Sequence, residues 1–484
     1  MKPQILLKGL SYKNVDIPNN IDIENIAYDS RKVKNNSCFI AIRGREFDGH
    51  NFISEAIDKG ANIIVAEQDY LEPVDVPVVI VENSRKALSR LAANFYKNPS
   101  SSINAIGVTG TNGKTSVTQI IKQLLDALGG SCGALGTLGF SINQDIINTN
   151  FTTPESIELH GMLRLLDDSS TKNVVLEVSS HSLDQDRVSD VDFNIAVFTN
   201  LSQDHLDYHE TMQKYFESKS KLFKSLNPQS YSVINTDDPY GLRIYDSMSN
   251  NKISYGLTGD CDLSASQIEF SFNGSRAKIK ILNKSYDIKT NLMGEYNILN
   301  ILAAIGSILS LGYNAKDIIE QINSIDFSIP GRMEVISKKQ DKFILIDYAH
   351  TPDAFYTIFS NIKKIDSTFS LISLFGCGGD RDKGKRAEMA KIAEEYCDQV
   401  FITSDNPRNE KVESINKDIV KGFNSDCYHV INDRSQAIKN AINSMANKTI
   451  LLVLGKGREE YQMVGTNKVY HSDIEIIKKC VYAN

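Results

Sequence analysis

A glycine-rich stretch, GVTGTNGKTS, spans residues 107–116 and ends on a lysine followed by two hydroxyl side chains. In the strict phosphate-binding loop the first glycine stands five places before the second, and here that place, counted back from Gly113, holds Val108. The match is therefore partial. An apolar run, from Ile103 to Val108, leads into the small residues of the stretch, and a pattern of helical period from Lys114 to Leu128 follows. Backbone N–H groups at a helix N-terminus can bind phosphate oxygens, so we predict a nucleoside triphosphate site; the alternative is a plain strand-to-helix turn.

In such a site Lys114 would reach the β- and γ-phosphates and the Thr115 hydroxyl would ligate Mg²⁺. Glu177 closes one apolar run and His205 lies in a polar loop after another. In a parallel sheet both would point into the crevice at the carboxyl ends of the strands, which suits metal ligation. By residue type alone, such a glutamate is more often a cap or salt-bridge partner, and such a histidine more often a surface residue.

Arg408 ends the tetrapeptide Asp405-Asn406-Pro407-Arg408, which follows the apolar run QVFIT. The Asn-Pro step by itself predicts only a turn. The arginine adds a second interpretation, because a guanidinium can pair with a carboxylate through two parallel hydrogen bonds.

Strands and helices must bring these residues together. Short apolar runs such as CFIAI (38–42), VVLEVS (174–179) and FILIDY (343–348) predict buried parallel strands, and segments of helical period lie between them. This alternation predicts a chain of stacked α/β domains. Residues 262–290 instead alternate apolar and polar side chains around turn residues, which predicts a β-hairpin inserted in the middle of the chain.

Turn-rich breaks at 98–102 and 329–332 suggest two domain boundaries. They divide the chain into three predicted domains, 1–101, 102–332 and 333–484.

The bulk composition excludes several classes of protein. The net charge of −7 offers no basic surface for nucleic acid. The seven cysteines are scattered without a C-x-x-C pair, which argues against a disulfide framework and a zinc site. No stretch approaches the roughly 18 apolar residues that span a bilayer. We expect a cytoplasmic monomer that acts on small molecules, without nucleic acid or membrane insertion.

The amino-acid sequence of the loop resembles that of the Mur ligases, ATP-dependent amide-forming enzymes of peptidoglycan precursor synthesis. The resemblance continues in order through nearly the whole chain, in the motifs EVSSHSLDQDRV (177–188), NLSQDHLDYH (200–209), YFESKSKLF (215–223), GEYNILNILAA (294–304), PGRMEV (330–335), DYAHTPDA (347–354), GCGGDRDKGKR (376–386), SDNPR (404–408) and GKGREEYQ (455–462). It implies an N-terminal UDP-binding α/β domain, a central P-loop-type ATPase domain with a parallel sheet, and a C-terminal Rossmann-like α/β domain.

The resemblance also implies which residues bind ATP and Mg²⁺, and that Lys114, Lys219 and His205 act in catalysis. The residues implied for ATP are Gly110, Thr111, Asn112, Gly113, Lys114, Thr115, Ser116, Asn297, Asn300, Arg332 and Asp347. Those implied for the metal are Thr115, Glu177, His205 and Lys219, with Lys219 carbamylated. From the sequence alone Lys219 would be an exposed residue of a polar helix and Asn297 a helix cap.

Two further sets are implied for the remaining substrates. The UDP-muramoyl dipeptide would be bound by Ser30, Thr152, Thr153, Ser179, Gln185 and Arg187. The diamino acid would be bound by Arg381, Asp405, Asn406, Pro407, Arg408, Gly455 and Glu459. The sequence departs from the family pattern twice, because Phe151 stands where an asparagine is frequent and Arg458 where a histidine is common. The loop from Gly44 to Gly49 near Ser30 is explained equally well by turn chemistry.

The closest branch of the family adds the third residue of the stem peptide. The implied reaction joins meso-diaminopimelate to UDP-N-acetylmuramoyl-L-alanyl-D-glutamate through an acyl phosphate, because the arginine of the tetrapeptide accompanies that diamino acid. Three alternatives stay open: the same reaction with L-lysine, a ligase of the folylpolyglutamate synthase type, and a nucleotide switch without catalysis. The last would need an Asn-Lys-x-Asp guanine motif, which NKSYD at 283–287 misses.

Overall fold

The computed structural model describes residues 1–13, 15–18, 20–44, 47–67, 74–142, 145–147, 149 and 151–482. Within these ranges the strands form sheets of four, eleven, six and two strands. The three larger sheets lie one each in the three predicted domains, whose boundaries remain a prediction. The predicted α/β class is confirmed, because parallel pairing runs through all three larger sheets.

The N-terminal sheet is small and packed by helices on both faces. Its four parallel strands follow each other in chain order, and three helices accompany them. The elements are α1 (Pro3–Leu6), β1 (Asn25–Ala27), β2 (Ser37–Ile40), α2 (Ile53–Asp58), β3 (Ala61–Glu67), β4 (Val78–Val81) and α3 (Ser84–Phe95). α3 begins where the Asn83 side chain accepts hydrogen bonds from two backbone N–H groups of its first turn, which fixes the helix start.

The central sheet has eleven strands in the order β15-β14-β13-β12-β11-β10-β5-β9-β6-β7-β8, counted along the chain. These strands are β5 (Asn104–Thr109), β6 (Cys132–Gly136), β7 (Gly139–Ile142), β8 (Asp145–Ile147), β9 (Asn173–Glu177), β10 (Phe193–Phe198), β11 (Tyr231–Asn235), β12 (Asn251–Gly256), β13 (Leu263–Ser271), β14 (Gly274–Ile281) and β15 (Lys284–Thr290). The helices are α4 (Lys114–Ala127), α5 (Ser156–Asp168), α6 (Ser180–Asp184), α7 (Leu206–His209), α8 (Met212–Lys224), α9 (Pro239–Ser247), α10 (Glu295–Ser310) and α11 (Ala315–Ser324).

The predicted hairpin at 262–290 is wrong in its extent. Residues 263–290 form three antiparallel strands, β13 to β15, and β13 continues the main sheet by pairing in parallel with β12. The second turn, at Leu282 and Asn283, adds the third strand. The segment is therefore an extension of the central sheet, held by ladder hydrogen bonds.

The C-terminal sheet has six strands in the order β16-β17-β21-β18-β19-β20, of which only the edge strand β16 is antiparallel to its neighbour. The strands are β16 (Glu334–Lys339), β17 (Lys342–Asp347), β18 (Ser370–Phe375), β19 (Gln399–Ile402), β20 (Tyr428–Val430) and β21 (Thr449–Leu454), followed by the separate hairpin β22 (Tyr461–Val464) and β23 (Asn467–Tyr470). The helices are α12 (Pro352–Ile365), α13 (Gly384–Tyr396), α14 (Val412–Val420), α15 (Arg434–Asn443) and α16 (Asp473–Tyr482).

Burial explains why the site lies where it does. β5, β9 and β10 are centre strands with almost entirely buried side chains, and their carboxyl ends meet at one edge of the central sheet. The amphipathic α4 packs Val117, Ile120 and Leu124 into the core below that edge. Of the helices in the described ranges, none is long and apolar enough to cross a bilayer.

Candidate functional site

The glycine-rich loop connects β5 to α4, as its sequence predicts. Gly113 precedes the helix with φ +84°, and a Cβ there would lie 2.8 Å from Oδ1 of Asn300, so only glycine fits without strain. Within the described part of the chain no side chain caps α4. The first N–H groups of a fourteen-residue helix thus remain available for an anion, where the helix dipole also favours negative charge.

Two lysines converge on this loop. Lys114 Nζ donates to the carbonyl oxygens of Gly110 and Thr111, at 2.9 and 2.8 Å, and Lys219 Nζ donates to the same Gly110 oxygen at 2.7 Å. Lys219 is 1% exposed, so the exposed position expected from its polar helix is wrong. α8 turns this face inward, and the ring of Tyr215 lies 4.7 Å from the Lys219 ammonium.

Burial, and then the positive charge of Lys114, lower the pKa of Lys219 well below its usual range. Burial also lowers the pKa of Lys114. A lysine with a depressed pKa has a larger neutral fraction, and the neutral amine is the form that can add carbon dioxide. The environment of Lys219 therefore suits the carbamylation that the resemblance implies.

Glu177 ends β9 with its carboxylate buried beside the loop. It accepts from the Thr115 hydroxyl at 3.0 Å, and from the backbone N–H and hydroxyl of Thr137 at 2.9 and 3.1 Å. These donors are neutral hydroxyl and backbone groups, and the Lys114 ammonium interacts with the carboxylate electrostatically. A buried carboxylate held by neutral donors suits a bound cation, and hard oxygen ligands are those that Mg²⁺ prefers.

His205 directly precedes α7 in the left-handed conformation, with φ +54°. Its Nε2 lies 3.4 Å from the buried carboxylate of Asp204, and its backbone N–H donates to the same side chain at 2.9 Å. Burial lowers the pKa of His205, which keeps the imidazole neutral, as a metal ligand must be. In the described residues no cluster of three or more His, Cys, Asp or Glu forms a metal site by itself. The predicted metal site does not require such a cluster, because two of its four ligands are the Thr115 hydroxyl and the carbamylated Lys219.

Arg332, at the boundary between the central and C-terminal domains, and Asp353 of the C-terminal domain complete the cleft from the opposite side. Arg332 Nη2 donates to the Thr115 hydroxyl at 2.9 Å, and Asp353 Oδ2 accepts from the side chains of Asn112 and Ser202 at 2.7 and 3.1 Å. The buried Asp347 carboxylate, at the end of β17, accepts hydrogen bonds from the backbone N–H groups of Met333 and Ala349.

The cleft between the two domains has a volume of about 540 Å³. It is lined by the loop from Thr111 to Ser116 and by predicted ligands from seven other segments: Thr152, Glu177, Ser179, His205, Lys219, Asn300, Arg332 and Asp347.

Asn297 and Asn300 lie in the first turns of α10, and their side chains bond each other at 3.1 Å. The helix begins at Glu295 after Gly294, so Asn297 is not its N-cap. Its amide instead donates to the carbonyl of Met293 at 2.8 Å.

The residues predicted for the UDP-muramoyl dipeptide lie in two places. Thr153 and Ser179 are hydrogen-bonded at the end of β9, where Thr153 Oγ1 donates to the Glu177 carbonyl at 2.7 Å. Arg187 donates to Gln185 Oε1 and to the Thr153 carbonyl.

Ser30 stands apart in the N-terminal domain, where its hydroxyl donates to Glu55 at 3.2 Å. Within the Gly44–Gly49 loop, residues 45 and 46 lie outside the described part of the chain.

The residues predicted for the diamino acid gather at the carboxyl edge of the C-terminal sheet. Asn406 Nδ2 donates to Glu459 at 3.1 Å, and a Cβ on Gly455, at φ +104°, would lie 2.6 Å from Asp405 Oδ2. Arg408 follows Pro407 with φ +50°, and its Nη1 donates to the Gly379 carbonyl at 2.8 Å. After burial, the positive charge of Arg381 is the next cause that lowers the pKa of Arg408.

Arg381 and Arg408 both bring positive charge to this edge of the sheet, which suits a carboxylate ligand. The hairpin of β22 and β23 holds Arg408 from behind, since its backbone bonds Met463 and Gly465.

Tyr348 contacts residues of both the predicted ATP site and the predicted diamino acid site. Its ring lies under the Arg332 guanidinium at 4.7 Å, and its hydroxyl donates to Glu459 at 3.3 Å. The departure at Arg458 also has a structural explanation, because this side chain forms an ion pair with Glu334, four residues after Pro330. Phe151, the second departure, is exposed, with its ring 5.6 Å from Arg187.

Several residues of the cleft have no role in the sequence-based prediction. Thr137 and Asp204 hold predicted ligands, while His350 and Asp353 belong to the recognised DYAHTPDA motif without a role of their own. Thr137 follows the apolar strand β6, which is the same signal that marked Glu177 after β9. Nothing local marks Asp204 as a partner of residues from another domain.

Comparison with known proteins agrees with this architecture. Residues 22–96 match a model of the Mur ligase family, catalytic domain; residues 108–308 match the Mur ligase middle domain; and residues 331–457 match the Mur ligase, glutamate ligase domain. The chain is 41% identical over 485 residues to a protein of Clostridium acetobutylicum named UDP-N-acetylmuramoyl-L-alanyl-D-glutamate–2,6-diaminopimelate ligase 2, with 99% of each chain covered.

Two solved structures that resemble this chain are also of Mur ligases. A structure of a UDP-N-acetylmuramoyl-L-alanyl-D-glutamate–2,6-diaminopimelate ligase superposes with a TM-score of 0.70 at 28% identity, covering 100% of this chain and 99% of the other. A MurF ligase from Thermotoga maritima in complex with ADP shares the fold, with a TM-score of 0.64 at 21% identity over 96% of this chain and 98% of the other. The three domain matches and the full-length relative together show that the chain belongs to the Mur ligase family.

Proposed function

We propose that this ATP-dependent ligase joins meso-diaminopimelate to UDP-N-acetylmuramoyl-L-alanyl-D-glutamate, a step of peptidoglycan precursor synthesis. The observation that carries the proposal is the path from the phosphate loop to the predicted diamino acid site. Thr115 bonds Arg332, whose guanidinium stacks on Tyr348, whose hydroxyl bonds Glu459. A triphosphate at the loop and an amino acid at Glu459 would thus lie in one continuous site, as a ligase requires.

The reaction needs activation of a carboxylate, because an amide does not form from a carboxylate and an ammonium in water to a useful extent. The γ-carboxylate of the D-glutamate attacks the γ-phosphorus of ATP, which forms an acyl phosphate and releases ADP. The amine of the diamino acid then attacks the acyl carbon, loses a proton and expels phosphate. Both steps concentrate negative charge at the loop, where positive groups must stabilise it.

The chain's own residues would divide this work. Lys114 now donates to two carbonyl oxygens of the loop, and its ammonium would turn to phosphate oxygens placed there. The free N–H groups at the start of α4 would bind the same phosphates. Arg332 would neutralise the γ-phosphate from the boundary with the C-terminal domain, and Asp347 would hold the ribose.

Thr115, Glu177, His205 and carbamylated Lys219 would hold Mg²⁺. Three of these four supply the oxygen ligands that suit this ion, and His205 supplies a neutral nitrogen. Bound Mg²⁺ would screen the triphosphate from the attacking carboxylate, which carries the same sign of charge.

The choice of diamino acid would depend on Arg408. Its guanidinium lies beside Arg381 and the Gly379 carbonyl, so a carboxylate at the far end of the substrate would compensate two positive charges. L-Lysine lacks that carboxylate and would leave the arginines unpaired. Asn406 and Glu459 would bind the amino and carboxylate groups at the near end.

The predicted cytoplasmic location, the monomeric state and the absence of a nucleic acid partner are kept as parts of this proposal. The N-terminal sheet favours it over a folylpolyglutamate synthase type of ligase, which lacks such a domain before the loop.

Phosphate release tests the proposal directly. We expect release only when ATP, Mg²⁺, the UDP-muramoyl dipeptide and meso-diaminopimelate are all present, with the tripeptide product identified by mass spectrometry. Equal turnover with L-lysine would move the assignment to the alternative amino acid. ATP or GTP hydrolysis without any amino acid requirement would instead favour a nucleotide switch.

A further inference from the structure

The boundary between the N-terminal and central domains holds two arginines around one carboxylate. Arg187, after α6, places Nη2 2.9 Å from Glu155 Oε1, and Arg85 of α3 places Nη1 3.7 Å from the same oxygen. Both also approach Gln185 Oε1, Arg187 at 3.1 and 2.6 Å and Arg85 at 3.5 Å. Arg187 therefore makes close contacts with Glu155 and Gln185, whereas Arg85 lies at or beyond the limit of a hydrogen bond from both.

The charges of this group do not balance. Glu155 is one carboxylate facing two guanidinium groups, and the nearby Glu158 is already paired with Lys32 at 2.9 Å and with the Tyr28 hydroxyl at 3.2 Å. Burial lowers the pKa of Arg187, the carboxylate of Glu155 raises it in part, and the positive charge of Arg85 lowers it again. An excess positive charge thus remains between the two domains.

The two guanidinium groups are also partly withdrawn from water. The side chains of Arg85 and Arg187 are 25% and 13% exposed. A partly buried cation without a close partner is costly, so its position favours a bound anion. The neighbours point to which anion, because Gln185, Arg187 and Thr153 belong to the predicted site of the UDP-linked substrate, and Arg187 Nη1 donates to the Thr153 carbonyl at 2.9 Å.

We propose that Arg85 is a further substrate-binding residue, which together with Arg187 binds an anionic oxygen group of the UDP-linked substrate across the domain boundary. This inference rests on the proposed function. The group is a phosphate or a carboxylate, since a guanidinium binds either through paired hydrogen bonds. Because Arg85 belongs to α3 and Arg187 to the central domain, the bound anion also ties the N-terminal domain to the catalytic one.

The test compares Arg85→Ala with a matched control, Arg90→Ala. Arg90 lies on the same helix and forms an ion pair with Asp190 across the same boundary, away from Gln185 and Arg187. We expect Arg85→Ala to raise the Kd and the KM for the UDP-muramoyl dipeptide about tenfold, the loss of one charge-assisted contact, with kcat and the KM values for ATP and the diamino acid unchanged. Arg85→Lys should recover part of the affinity, because it keeps the charge without the planar fork.

Arg90→Ala should leave the Kd and KM of the dipeptide unchanged. Calorimetry with UDP alone then distinguishes the two sources of the anion. A tenfold loss of UDP affinity in Arg85→Ala would assign the diphosphate, whereas a loss seen only with the complete dipeptide substrate would assign a peptide carboxylate.

Unchanged dipeptide binding by Arg85→Ala, or an equal loss in Arg90→Ala, would overturn the inference while the ligase assignment stands. A wild-type protein that neither binds nor converts the UDP-muramoyl dipeptide would overturn both. Melting temperatures of the variants within a few degrees of wild type exclude unfolding as the cause.

Discussion

Arg332 and Thr115 lie 217 residues apart in the chain, yet the arginine Nη2 donates to the threonine hydroxyl at 2.9 Å. The bond joins the boundary of the C-terminal domain to the first turn of α4. The arginine reaches the phosphate loop across the cleft only because the two domains are closed against each other. Nucleotide binding and domain closure should therefore depend on each other in this protein.

The first prediction concerns this arginine. We expect Arg332→Ala to lower kcat/KM for ATP by about 100-fold or more, because a positive group aimed at the γ-phosphate stabilises the transition state. Steady-state assays of ADP formation measure the effect. Arg332→Lys serves as the conservative variant and should lose less. A change below twofold in Arg332→Ala would contradict its placement at the nucleotide.

The second prediction concerns the loop lysine. Lys114→Ala should abolish amide formation, because it removes the cation at the first position of α4 that would turn from the loop carbonyls to the phosphate oxygens. Product formation followed by mass spectrometry checks this in the presence of saturating ATP. Normal product formation by the variant would remove the basis for placing a triphosphate at this helix.

The third prediction concerns the modification of Lys219. Its depressed pKa should allow carbamylation at neutral pH, so protein equilibrated with ¹³C-bicarbonate should show one carbamate carbon signal by NMR. Lys219→Arg should lose the signal and at least about 100-fold in kcat, because a carboxylate ligand of Mg²⁺ is removed. Lys221→Arg is the matched control on the same helix, where the lysine side chain is 46% exposed, and it should keep both the signal and the activity. A signal that survives in Lys219→Arg would refute the assignment.

The fourth prediction concerns amino acid selection. Arg408→Ala should lose the use of meso-diaminopimelate, with KM raised about tenfold or more, because the far carboxylate loses its paired donor. Competition between meso-diaminopimelate and L-lysine, with both products counted, gives the selectivity. Lys411→Ala, three residues on and exposed, should not differ from wild type. Unchanged selectivity in Arg408→Ala would show that another residue reads the substrate.

The fifth prediction concerns a buried histidine outside the site. His160, on α5, is fully buried, and among the described residues neither ring nitrogen has a hydrogen-bond partner. Burial lowers the pKa of His160 to about 4, from an ordinary value of about 6.5 in the unfolded chain. As the pH falls below 6.5 the unfolded chain binds the proton first, so stability is lost progressively down to pH 4.

Between pH 7.5 and pH 5 this group should cost wild type about 2 kcal/mol of unfolding free energy that His160→Leu does not lose. Urea denaturation at the two pH values measures the difference between the proteins. His429→Gln, at an exposed position, provides the control and should follow wild type. An identical pH dependence in wild type and His160→Leu would show that the folded protein accommodates the protonated histidine and that its pKa is not depressed.

The sequence by itself determined the local parts of the site. The apolar run before Gly107, the small residues after it and the helical spacing of Val117, Ile120 and Leu124 specify the strand, turn and helix, because each depends on neighbours a few residues away. The order of family motifs then assigned roles to side chains such as Glu177 and Arg408. These assignments need no knowledge of how the domains pack.

Tertiary structure alone decided which of these residues meet. The sequence pattern of α8 made Lys219 an exposed residue, and only the packing of that helix under the loop buries it beside Lys114. The strand β15 and its place in the sheet were missed, because a period of two does not say how many strands pair or with which neighbour.

Contacts such as that of Arg332 with Thr115 depend on closure between domains, and so does the hydrogen bond of Asp353 with Asn112. The physical reason is that periodicity reports which face of an element is buried, whereas the partner of that face is set by contacts between residues far apart in the chain.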